Sequence, residues 1–75
     1  MDEELFNEQV QVERKTFSFM LKENPRGRFL KITEDVAGRR DTIIIPSTGL
    51  DKIRGLLDKV ISADKKAGPP KTIEG

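Results

Sequence analysis

Seventy-five residues, 36% charged and 35% apolar, make one small domain, and chains this short bury only about 60% of their unfolded surface. The absence of cysteine and histidine excludes disulfides, thiolate zinc sites and the commonest general base at neutral pH. Without either staple the usual remaining support is oligomerisation, so a homodimer is expected.

A net charge of +1 hides a strong asymmetry along the chain. Residues 1–13 carry five acids (Asp2, Glu3, Glu4, Glu8, Glu13) and no base. Residues 14–40 carry eight bases (Arg14, Lys15, Lys22, Arg26, Arg28, Lys31, Arg39, Arg40) against three acids (Glu23, Glu34, Asp35). A basic segment inside a nearly neutral chain is a local footprint for phosphate. The acidic start lacks the basic region and apolar stretch of a signal peptide. No apolar run approaches the roughly 20 residues of a membrane span. A soluble, cytoplasmic protein is expected, with no membrane, metal or cofactor.

In chain order, residues 1–4 read as a flexible acidic start. Within Leu5 to Val12, Val10 and Val12 alternate with Gln9 and Gln11 and predict a first strand. From about Arg14 to Glu23, Phe17, Phe19 and Leu21 alternate with Ser18, Met20 and Lys22, a half-buried second strand whose two rings belong to the core. Asn24-Pro25-Arg26-Gly27 suits a type I turn: Asn at the first position, Pro at the second and Gly at the fourth. Arg28 to Glu34 returns as a third strand. A three-residue loop with a glycine bulge would also fit the turn sequence. An even loop instead pairs Leu21 with Leu30 and Phe19 with Ile32. A slip of one residue would expose that apolar set, so the even loop is favoured. It places Ser18, Met20, Lys22, Phe29, Lys31 and Thr33 together on the opposite face.

Asp35 to Arg40 reads as a loop containing Gly38, and Asp41 to Pro46 as a β-branched fourth strand. Thr48 and Asp51 fit a capping box. Leu50, Ile53, Leu57, Val60 and Ile61 then recur at helical spacing as one apolar stripe, with Lys65 and Lys66 at the C-terminal end and Gly68 as the stop. Residues 67–75, AGPPKTIEG, read as a disordered tail. The fold class is α+β: a four-stranded antiparallel sheet followed by one C-terminal helix, which should cover one face of the sheet and leave the other open.

The open face mixes one ring, one thioether and two cations. A base can stack on Phe29. Lys22 and Arg26 suit phosphate or guanine edges, and Lys31 and Arg28 suit phosphate. Asn24 can serve a base or bond its own backbone at the turn. Met20 and Ser18 are secondary contacts, and Arg14, Lys15, Arg39 and Arg40 are steering charges. An alternative use of the same face is a protein–protein interaction module anchored on Met20 and Phe29. No nucleophile–base pair, glycine-rich phosphate loop or clustered carboxylate set supports an enzyme.

The strings Glu13-Arg14-Lys15-Thr16-Phe17 and Lys22-Glu23-Asn24-Pro25-Arg26-Gly27-Arg28-Phe29-Leu30-Lys31-Ile32 resemble the PUR repeat of the purine-rich element-binding family. The ββββα order over residues 5–66 agrees with one such repeat. The resemblance implies a Whirly-like fold in which two repeats intertwine, here as a homodimer. It also implies binding of single-stranded DNA or RNA with a preference for purine-rich, G-rich sequence. Lys22, Asn24 and Arg26 match the family's nucleic-acid contacts at the turn between the second and third strands, and Phe29 matches its stacking aromatic.

Overall fold

Three two-residue turns convert the alternating segments into an antiparallel meander. In the computed structural model, which describes residues 2–69, the strands are β1 (Glu3–Val12), β2 (Lys15–Asn24), β3 (Gly27–Val36) and β4 (Arg39–Pro46). They lie in the order β1-β2-β3-β4. One turn of 3-10 helix, Ser47–Gly49, leads into α1 (Leu50–Lys66).

The central hairpin has the even-loop register. Leu21 faces Leu30, Phe19 faces Ile32 and Lys22 faces Phe29 across Pro25-Arg26. Neither turn residue has a positive φ, which rules out the mirror-image turns. The Asn24 side-chain oxygen accepts the Arg26 backbone N–H at 2.9 Å, so a local side-chain bond reinforces the turn.

Several expected boundaries need correction. The acidic start is not a free lead-in: β1 begins at Glu3, which pairs with Glu23. The register then shifts between Glu4 and Phe6, leaving Leu5 as an extra residue. This bulge exchanges the faces of everything after it, so that Phe6 meets Leu21 and Val10 meets Phe17. The segment expected as a loop, Asp35 to Arg40, is mostly strand. Only Ala37 and Gly38 turn, with φ of +51° and +84°, and Val36 pairs with Arg39. Both central residues lie in the left-handed region, as a type I′ hairpin requires. Alanine is a poor residue there, which is why the sequence did not advertise the turn.

That strain yields a prediction. Ala37→Asn should raise stability by about 0.5–1 kcal/mol, because an alanine in this region costs about 1–2 kcal/mol and asparagine tolerates it. Thermal melting at fixed protein concentration reads the effect. An unchanged midpoint would count against the mirror-image turn.

The helix also departs from expectation. The capping box does not form: Gly49 is the N-cap residue and no side-chain cap bond is made. At the other end Ala67 caps the helix and Gly68 follows with φ of +91°, a left-handed stop. The expected tail beyond Pro69 lies outside the described residues. More consequentially, α1 does not fold back on its own sheet. Its main packing neighbour is the 3-10 turn, and every residue from Asp51 to Ala67 is exposed. The helix therefore covers neither face. No helix among the described residues is long and apolar enough to cross a membrane.

As a result the lone chain has no interior. Phe17, Phe19, Leu21, Leu30 and Ile32 share one face of the sheet with Phe6, Val10, Ile43 and Ile45, yet none is fully buried. The rings expected as core are only half covered. On the helix, Leu57 is 54% and Val60 60% exposed, and Leu56 widens the stripe they form with Ile53 and Ile61. The radius of gyration is 14.7 Å, against about 11 Å for a compact chain of this length. Accessible surface is 6517 Å², roughly 1,900 Å² more than the mass–area relation gives for a compact protein.

Candidate nucleic-acid interface

Strand alternation sorts the side chains of the sheet into two chemically different faces. One is the apolar face described above. The other is built in rows across the strands: Glu4, Lys22, Phe29 and Pro46; then Asn7, Met20, Lys31 and Ile44; then Gln9, Ser18, Thr33 and Thr42. A further row holds Gln11, Thr16, Asp35 and Arg40.

This second face collects most of the residues singled out in the sequence. Lys22 and Phe29 are direct cross-strand neighbours, as are Met20 and Lys31. Ser18, Met20 and Lys31 line a cavity of about 480 Å³ together with Gln9, Thr33 and Asp35. The Thr33 and Thr42 hydroxyls are hydrogen bonded at 3.1 Å on the same surface. Phe29 is half-buried rather than sealed, so part of its ring remains available.

Arg28 does not join the group. It follows Gly27 and precedes Phe29, so it points to the apolar side, opposite Glu23. Its guanidinium Nη2 donates to the Glu23 carboxylate at 3.1 Å. Two other bases are also paired: Lys15 with Glu34 at 2.8 Å and Arg40 with Asp35 at 3.0 Å. Lys22, Arg26 and Lys31 have no ion-pair partner among the described residues. Three cations without carboxylate partners, clustered beside a partly open ring, form the positive end of this face.

Asn24 is occupied at both ends of its amide. Its oxygen holds the turn, and its nitrogen donates to the Asp2 carboxylate at 3.0 Å. Glu4 stands opposite Lys22 on the same side. The acidic N-terminal residues thus lie along the basic turn.

The sequence reading missed the contributions of the outer strands. Gln9 comes from β1, and Ile44 and Pro46 from β4. The alternation of Gln9 and Gln11 with Val10 and Val12 was a signal for the first. The run Thr42-Ile43-Ile44-Ile45 gave none for the second, because three successive isoleucines hide which one faces outward.

Residues 2–69 match the family model described as PurA ssDNA and RNA-binding protein. The chain is also similar to a protein of Arabidopsis thaliana named Transcription factor Pur-alpha 1, with 45% identity over 64 residues. That match covers 85% of this chain and 22% of the relative, so the chain spans about a fifth of the longer protein. The family is one of nucleic-acid-binding proteins and not of enzymes. The open polar face, its unpaired cations and the sequence match together place this chain in the PurA family of single-stranded DNA- and RNA-binding proteins.

Proposed function

We propose that the chain, as a homodimer, holds an unpaired purine-rich strand of DNA or RNA on the polar face of its sheet. The observation that carries this reading is the juxtaposition of Phe29 with Lys22, beside Lys31 and Arg26, none of them neutralised by an ion pair among the described residues. Phosphates are drawn to the three cations, while the ring offers a stacking surface that bases inside a duplex cannot use. Met20 and Ser18 extend the surface toward the middle of the sheet. Arg28 serves the hairpin through Glu23 rather than the strand. Asn24 has a second amide hydrogen to offer the ligand beside the one it donates to Asp2. A part in transcription, which the relative's name carries, belongs to the same reading.

The dimer is supported by the uncovered apolar face and the uncovered helix stripe, which match in chemistry but do not meet within one chain. The excess surface of roughly 1,900 Å² is ample for an interface, since standard ones bury about 800 Å² per partner.

The reading is tested by titrating purine-rich and pyrimidine-rich single strands, and matched duplex, at two salt concentrations. Binding should favour the purine single strand and weaken steeply with salt through counterion release. Lys22→Ala combined with Arg26→Ala should lower the salt slope by about 1.4, at about 0.7 per lost phosphate contact. Salt-insensitive binding would point instead to an apolar protein ligand on this face.

A further inference from the structure

Ile44 is out of place. Its neighbours in the run, Ile43 and Ile45, pair with Ile32 and Leu30 on the apolar face, whereas Ile44 pairs with Lys31 on the polar one. It is 54% exposed there. A single exposed aliphatic side chain needs no explanation, but this one has a particular setting. Together with Phe29 and Pro46 it lines a cavity of about 280 Å³ beside the turn that carries Asn24 and Arg26. Pro46 stands directly across from Phe29, and Ile44 stands diagonally across from it.

We propose that Phe29, Ile44 and Pro46 together line a shallow apolar slot, open to solvent, that takes one unpaired nucleobase. The inference rests on the strand-binding reading above and names residues for it that the family match does not. Diagonal cross-strand neighbours, about 7–8 Å apart, are within reach of an aromatic side chain, so the Phe29 ring and Ile44 make one apolar surface. A flat base laid on that surface makes carbon contacts of about 3.5–4.0 Å with it. The sugar and phosphate then stay outside, where Lys31 and Arg26 stand. Apolar walls with cations at the rim match a ligand with an aromatic plane and an anionic backbone. A purely apolar peptide would leave those charges unused.

The test uses the full chain with two probes: a short purine single strand, and a strand of equal length and charge whose sugars carry no base. Ile44→Thr keeps a β-branched residue in the strand, and its fold and dimer state are checked by circular dichroism and sedimentation. It should bind the purine strand about three- to tenfold more weakly, from losing about half of an isoleucine's burial. Its affinity for the baseless strand should be unchanged. Ile44→Tyr, which restores a wide wall, should recover the purine affinity. Equal loss on both strands, no loss on either, or a dissociated dimer would each overturn the slot. A parent protein that prefers the purine strand while Ile44→Thr matches it removes the slot alone. A parent protein that binds neither strand removes the strand-binding reading with it.

Discussion

Phe29→Ala is expected to weaken single-strand binding by about 1–3 kcal/mol, or about five- to 150-fold, while the protein stays folded. The size follows from removing a stacking surface rather than a charge, so the salt slope should change little. Folding should survive because Phe29 lies on the opposite face from Phe17, Phe19, Leu21, Leu30 and Ile32, and is only half-buried. Phe29→Leu serves as the control. It keeps apolar bulk without the aromatic face, and should fall between the parent and Phe29→Ala. Fluorescence anisotropy with a labelled purine strand measures all three. If folded Phe29→Ala binds like the parent protein, the ring is not a stacking platform.

The second large effect concerns assembly. Leu57→Glu should raise the dimer dissociation constant by roughly two to four powers of ten. Each leucine buried at an interface contributes about 1.5–3 kcal/mol, and two-fold symmetry makes the loss occur twice. Glutamate is nearly as good a helix former as leucine, so the change acts on the stripe and not on the helix itself. Lys59→Glu reverses a charge on the other side of α1 and should leave the dimer intact. Sedimentation equilibrium gives the association state, and melting curves should become concentration-dependent in the same range. A Leu57→Glu protein that sediments and melts like the parent would show that the stripe is not the interface.

The parts of this molecule that were legible in its sequence are those decided by near neighbours. Alternation around Phe17, Phe19 and Leu21, with turn chemistry at Asn24-Pro25-Arg26-Gly27, was enough to give the hairpin and its register. Reading Lys22, Phe29, Met20 and Lys31 onto one surface followed from that register. Arg28 shows where charge was weighed without parity: adjacent to Phe29 in a strand, it has to point the other way. The bulge at Leu5 was invisible because nothing in Glu4-Leu5-Phe6 marks an insertion, and it decides the face of every later residue of β1. Ala37 concealed a turn because the residue present is not the one the backbone prefers. The helix was read correctly as an apolar stripe and wrongly as a cover for its own sheet. Local periodicity says that such a stripe will be buried; it carries no information on which surface will bury it.

The hydrogen bond from Asn24 to Asp2, with Glu4 beside Lys22, has a kinetic meaning. The basic turn is not a bare surface awaiting a strand, since the protein's own carboxylates already lie along it. A polyanion arriving at that corner would meet repulsion from tethered carboxylates as well as attraction from the cations, so one held by few phosphates would be turned away first.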